Sequence, residues 1–384
     1  EYMKKILIFT GSRANYSSTR SIMKAVMAHH ELELQTVVGG AAILDRYGNI
    51  ENLMAEDGIP IHAKFHMIVE GETPTTMAKS TGLGLIDLSM IFENLRPNLV
   101  IVVGDRFDVL APTIAAAFMN IPVAHIQAGD ISGGLDNIHR HAITKLAHLH
   151  FSQNKKQKNR VVKLGEEKKR VLNSGAPYID NVINSKLPDF YKISKKLDLN
   201  IKKKKYSIIL HHSDTYRQSN SYDEMKVILK TLRYLNIPSI VIYPCSDPGY
   251  LGIIKSIKKF ANSDNFKVFK SLEYQDFLSL LKNCLFLIGN SSSGIIEAPY
   301  FRTPFINVGK RQNNRDKCEN VIDVKPTKDS ITKAIKYIKT NKSYKEKLKS
   351  IKHPFGDGKS AKRIYTKIKK INLNSDFFKK EITY

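Results

Sequence analysis

The chain has 384 residues, more than one core usually holds, so about two domains of ordinary size are expected. A content of 42% hydrophobic and 25% charged residues is that of a soluble globular protein, and no apolar run nears the roughly 20 residues that span a bilayer, which excludes a membrane-spanning helix. The formal charge of +25 sits mostly in lysine blocks at 155–170, 195–205, 255–259 and 336–370. Without interleaved aromatics or a nucleic-acid motif these read as solvated helix faces rather than a nucleic-acid surface, although the positive field would draw in an anionic nucleotide. Cys245, Cys284 and Cys318 are lone and widely spaced, which fits neither a disulfide framework nor a zinc site. With no apolar signal region ahead of the first strand, a reducing cytoplasm is the expected compartment.

The first predicted strand is 5–10 (KILIFT), followed by Gly11-Ser12-Arg13 and a helical stretch through His29. A glycine turn, the amides of a helix start and Arg13 make an anion cradle, or simply a capped helix start. With one glycine it is not the G-x-G-x-x-G dinucleotide fingerprint. A strand at 32–38 and a long helix at 76–94 come next.

The strand at 99–103 ends in Gly104-Asp105-Arg106, and a helix follows at 108–119. The strand at 123–126 runs into HIQAGDISGGLDNIHRHAITK (125–145), with Asp136 as a candidate cap for a helix at 136–146. Polar groups at the carboxyl ends of neighbouring strands are where open parallel sheets place ligands. Asp105, Asp130 and Asp136 are therefore the acid/base candidates. Their mutual repulsion would raise the pKa of at least one and separate acid from base, while Arg106 and Arg140 would oppose that shift.

A polar, lysine-rich stretch at 188–205 without apolar period reads as a linker between a first domain, 1–187, and a second, 206–384. The second domain restarts with strand 206–210, helix 222–235, strand 239–243, helix 249–260, strand 266–269, helix 274–281 and strands 285–288 and 305–308, and ends in basic helices from about 329 to 371. Alternating strands and helices in both halves predict two doubly wound α/β domains with a cleft between them. His212, in HHSDT after strand 206–210, would touch a phosphate or shuttle a proton, and no neighbouring spacing suits a metal. Gly289-Asn290-Ser291-Ser292-Ser293-Gly294 precedes a helix at 295–300 and suits a diphosphate, with Glu297 placed to accept from ribose hydroxyls; a serine-rich capped turn is the alternative. Arg311 and Arg315 follow strand 305–308 and either reach the same cleft or lie on the surface.

Taken together, GSRANYS, GDRFD, H-I-x-x-G-[ED]-x-S-G-x-x-D-x-x-x-RHAITK, H-x-x-T, GNSSSG-x-x-E and G-x-RQ-x-x-R resemble the hydrolysing UDP-N-acetylglucosamine 2-epimerases of sialic-acid biosynthesis. The likeness runs from Lys4 to about Val324, with Tyr47-Gly48-Asn49 and Ser174-Gly175-Ala176-Pro177 fitting secondary positions, and RHAITK favours the hydrolysing branch. The resemblance implies a GT-B-like fold of two Rossmann-type domains. It also implies conversion of a UDP-2-acetamido sugar and water to the free manno-configured sugar and UDP. The steps would be removal of the C2 proton, elimination of UDP to a glycal, and addition of water with inversion at C2. No nicotinamide, other cofactor or metal is implied, and a homodimer or homotetramer is expected.

By the same resemblance Arg13, Ser17 and Arg106 would meet the UDP-sugar from the first domain. His212, Thr215, Asn290, Ser291, Ser292, Gly294, Glu297, Arg311 and Arg315 would meet it from the second. Asp105 and Asp136 match acidic positions assigned to catalysis, with Asp130, Arg140 and His212 beside them. One departure stands out: Gln127 occupies a position where the family commonly has glutamate, and an amide orients a substrate but abstracts no proton. Asp130 retains an acid there, one methylene shorter. The swap leaves open a relative acting on a UDP-2,4-diacetamido-trideoxyhexose, and behind it a GT-B glycosyltransferase or a nucleotide-sugar-binding protein with a disabled site.

Overall fold

In the computed structural model, residues 3–45, 49–71, 73–132, 135–214, 220–245, 247–313, 315–373 and 375–384 are described, the side chains of Ser375 and Asp376 excepted. They form two compact units, one of residues 1–130, 135–184 and 354–384, the other of 131–134 and 185–353. No helix among the described residues is long and apolar enough to cross a membrane.

The first unit is built on seven parallel strands: β1 (Lys4–Thr10), β2 (Leu32–Val38), β3 (Ala63–Lys64), β4 (Leu99–Val103), β5 (Val123–Ile126), β6 (Leu149–Ser152) and β7 (Val171–Asn173), in the order β3-β2-β1-β4-β5-β6-β7. In β1 and β4 apolar residues run without alternation because helices cover both faces, and all five residues of β4 are buried. Helix Arg13–Met27 covers one face with Tyr16, Thr19, Ile22, Met23 and Val26, a 3.6-residue period, and Ser12 Oγ caps it by accepting from the Asn15 amide at 3.2 Å. Strand order reverses between β1 and β4, so their carboxyl ends diverge into a ligand crevice.

The second unit repeats the plan with β8 (Ser207–Leu210), β9 (Ser239–Ile242), β10 (Phe266–Phe269), β11 (Phe286–Gly289), β12 (Phe305–Val308) and β13 (Val321–Val324), all parallel in the order β10-β9-β8-β11-β12-β13. Its reversal lies between β8 and β11. The two Rossmann-type units make the fold GT-B-like, as expected.

Several expectations need correction. The stretch at 188–205 is not featureless: Asp189 caps helix Phe190–Lys196, and Phe190 and Ile193 are buried. Nor do all residues after 206 belong to the second unit. Helix Ser360–Lys370 packs Ala361, Ile364 and Ile368 into the same core as Ile6, Ile22 and Ile101, and the Asp180 carboxylate receives the amides of Ser360 and Ala361 at its start (2.9 and 2.6 Å). Lysines on its outer face conceal an apolar stripe that only packing assigns to the first sheet. The helix expected at 295–300 is a single turn, Ser293–Ile296.

Candidate active site

In the first unit, the exits of β4 and β5 are joined by one buried guanidinium. Arg140, one turn into helix Asp136–Leu146, is 1% exposed; it donates through Nη1 to the Gln127 carbonyl (3.0 Å) and through Nη2 to Asp105 Oδ2. Two parallel donors in a rigid fork suit this bridging better than a point charge would. His125 ties the same strand ends together. Its Nε2–H donates to the Gly104 carbonyl (2.8 Å) and its Nδ1 accepts from the Thr144 hydroxyl (3.1 Å). Burial lowers its pKa well below the ordinary value, so the ring is neutral and structural.

Gln127 has φ of 71°, a left-handed conformation that is strained for a side chain of this kind. Its side-chain oxygen comes near Gly104, 3.6 Å from where a Cβ would stand. The turn then closes on helix Lys155–Lys163: a Cβ on Gly129 (φ +78°) would lie 2.4 Å from the Gln157 carbonyl, so only glycine fits. Asp130 goes with that packing. It is 1% exposed and accepts from Gln157 Nε2 at 2.9 Å. Asp136 is half-buried and is the first residue of its helix rather than the cap; Leu135 occupies the cap position without a side-chain bond.

Arg13 and Ser17 stand on the first turns of the helix that opens at the β1–β4 reversal. Asn15 pins that point, accepting from the Gly11 amide (3.1 Å) and donating to the Val103 carbonyl (3.1 Å). Arg106 packs over the Phe107 ring and lies 3.6 Å from Asp108 Oδ2. Asp108 is fully buried, and Cβ atoms on Gly11 and Gly40 would come within 3.1 and 2.9 Å of its carboxylate. Reading the chain by residue type passed over Asp108, whose only signal was the second acid of GDRFD, and over Asn15 and Gln157.

In the second unit, Asn290 organises the reversal point. Its Oδ1 accepts from the His212 amide (2.7 Å), its Nδ2 donates to the His212 carbonyl (2.9 Å), and its own carbonyl accepts from Arg311 (3.2 Å) and Gln312 (2.8 Å). Gly289, at φ +138°, is required where a Cβ would meet the Leu210 carbonyl at 2.1 Å. His212 Nδ1 accepts from the Cys245 amide (3.1 Å), so its neutral ring carries the proton on Nε2. Ser291 is buried, Ser292 half-buried, and Gly294 lies where a Cβ would strike the Phe305 ring at 2.3 Å, a packing reason for that glycine. Arg311 also approaches Asp247 (3.6 Å), and Arg315 donates to Gln312 Oε1 (3.0 Å). Burial pushes the Glu297 carboxyl up to about 7, against its own amide, Arg315 and the Tyr274 hydroxyl. His211 is structural, bonded to Glu224 (3.0 Å). Thr215, Tyr47 and Gly48 lie outside the described residues.

Residues 24–369 match the family model described as UDP-N-acetylglucosamine 2-epimerase. The chain is 32% identical to UDP-N,N'-diacetylbacillosamine 2-epimerase (hydrolyzing) of Legionella pneumophila over 98% of its length and 99% of the relative's. It is 31% identical to UDP-N-acetylglucosamine 2-epimerase of Neisseria meningitidis over 83% of each. In fold it is similar to the UDP-GlcNAc 2-epimerase of Methanocaldococcus jannaschii, solved in complex with UDP-GlcNAc and UDP, with a TM-score of 0.81 at 19% identity over 95% of this chain and 99% of that one.

Proposed function

Because the chain belongs to the UDP-N-acetylglucosamine 2-epimerase family, we propose that it is a hydrolysing 2-epimerase that turns a UDP-2-acetamido sugar and water into the free manno-configured sugar and UDP. The observation that carries this reading is the Arg140 bridge, which ties Asp105 and the Gln127 carbonyl to the helix that begins with Asp136. One carboxylate held by the guanidinium and a second at the start of the helix that carries it suit a reaction with two proton transfers. In the first, one carboxylate takes the C2 proton while the C1–O bond breaks and UDP leaves with the electron pair, giving a glycal. In the second, water adds its oxygen to C1 as C2 is reprotonated from the opposite face. Asp105 and Asp136 carry these steps. Asp130 is given no step: it is buried in the turn, where one carboxylate oxygen accepts from Gln157. Gln127 orients the sugar.

The nucleotide falls to the second unit, with the diphosphate on the Asn290–Ser292 backbone, His212, Arg311 and Arg315, and the ribose on Glu297. We assign UDP-2,4-diacetamido-trideoxyhexose as the preferred substrate, supported by the relative that matches this chain end to end, with UDP-N-acetylglucosamine second.

The test is incubation of each UDP-sugar in deuterated water with NMR of the products. Free manno-configured sugar carrying deuterium at C2 is expected. Intact substrate without exchange would leave a nucleotide-sugar-binding protein, and UDP release only with an added acceptor would mean a glycosyltransferase.

Glu297 gives this reading a pH signature. Ribose hydroxyls donate to a carboxylate, so with a pKa of about 7 the site is mostly unready under mildly acidic conditions. UDP is expected to bind about tenfold tighter at about pH 8 than at about pH 6. Glu297→Gln should flatten that profile, as calorimetry would read; an unchanged slope in the variant removes Glu297 from the ribose. For the ligand-free fold the sign is opposite. A carboxyl raised from 4.5 to about 7 favours the folded state at low pH, and that contribution is lost as pH climbs through this window.

A further inference from the structure

Residues 375–384 lie beyond the 24–369 that the family match spans, yet they pack on the first unit against the far end of helix Asp136–Leu146. The last carbonyls of any helix lack intrahelical partners, and here one side chain collects them. Lys380 Nζ donates to the carbonyls of Thr144 (3.4 Å), Lys145 and Ala147 (2.7 Å), and pairs with Glu166 Oε2 at 2.8 Å while its own side chain is only 15% exposed. A cation at a helix carboxyl end also meets the favourable sign of the helix dipole.

Glu166 makes the arrangement demanding. It is fully buried and also holds Lys145 Nζ (2.8 Å) and His150 Nε2 (2.9 Å). Burial raises its pKa, but hydrogen bonds from His150, Lys145 and Lys380 outweigh that and bring it to about 2. The segment is fastened on both sides of Lys380. Arg170 donates to the carbonyls of Phe377 (2.8 Å) and Lys379 (2.7 Å) and lies 4.9 Å over the Phe377 ring. The Thr383 amide bonds the Gly165 carbonyl (3.3 Å), and Tyr384 lies so close over Gly165 that a Cβ there would come within 2.6 Å of its ring.

We propose that Lys380 is a positioning residue for the reaction: by gathering the carboxyl end of helix Asp136–Leu146 it holds Arg140 and Asp136 in register with Asp105. The inference rests on the roles proposed above for those three residues. The helix is a single rod of 11 residues with the acid and the guanidinium in its first turns, so a tilt released at one end is felt at the other.

The test compares Lys380→Met, Lys380→Arg and Arg170→Gln with wild type in kcat, KM and deuterium uptake. Lys380→Met is expected to lower kcat by about 10- to 100-fold with KM within about twofold, the scale that small misplacements of reacting groups produce. Amides of helix Asp136–Leu146 should exchange faster while those of the second unit do not. Lys380→Arg should recover most of kcat, since arginine can still reach several carbonyls. Arg170→Gln, which loosens the segment without touching Lys380, should move kcat and exchange the same way by less, and it decides the question if Lys380→Met does not fold. Unchanged kcat with faster helix exchange would reduce the segment to a stabilising strap, and unchanged exchange would show that Lys380 does not hold the helix; either overturns the proposal. A wild type inactive on every UDP-2-acetamido sugar would instead overturn the proposed function, and this inference with it.

Discussion

Asp136→Asn is expected to lower kcat by about 10²–10⁴-fold, the usual worth of a positioned general acid or base, while the Kd for UDP stays within about twofold. The substitution keeps the shape of the side chain and removes its charge and its capacity to exchange a proton. Asp136 stands at the amino end of its helix, half-buried, where the helix dipole favours a negative charge. The groups assigned to the nucleotide, among them Asn290 and Arg311, belong to the second unit, whereas Asp136 belongs to the first. Steady-state turnover by UDP release, paired with calorimetry on UDP, measures both quantities. Full turnover in the variant would remove Asp136 from the mechanism and leave Asp105 to serve both proton transfers.

Arg140→Met is expected to lose both activity and stability. Methionine fills much of the volume but leaves Asp105 Oδ2 and the buried Gln127 carbonyl without their shared donor. Breaking a buried pair from one side typically costs about 3–5 kcal/mol, because an uncompensated charge remains behind. Arg140→Lys restores the charge but not the fork, so it should recover part of the stability and little of the turnover. Urea unfolding followed through the first unit, alongside kcat, tests this. A stability within about 1 kcal/mol of wild type would mean that water replaces the guanidinium and that the bridge is not what sets the two strand ends.

Much of the architecture could be read from residue order. β2, β4, β5, β10 and β12 coincide with the predicted spans, and β4, covered on both faces, carries an uninterrupted apolar run of buried residues. Three other strands left no such mark. β3 has two residues, β7 three, and β13 is only partly buried, so β3, β7 and β13 arise from pairing with a neighbour rather than from their own composition. Helix Phe190–Lys196 was hidden among lysines for a related reason, since two buried side chains, Phe190 and Ile193, suffice to dock it.

By itself the sequence determined the two α/β halves, the family and the strand exits where polar residues gather, because these depend on local periodicity and on residue types at loop positions. Where each of three nearby aspartates points was decided only by the tertiary structure. Asp105, Asp130 and Asp136 have the same chemistry and lie within about thirty residues, a spacing that says nothing about direction. The turn closed by Gly129 sends Asp130 inward to Gln157, and Arg140 reaches across two strands to Asp105. The same is true of Lys380, an ordinary lysine in a basic chain until the fold brings it to the end of the helix that carries Asp136. Long-range contacts of this kind follow from how strands and helices pack, and no local pattern encodes them.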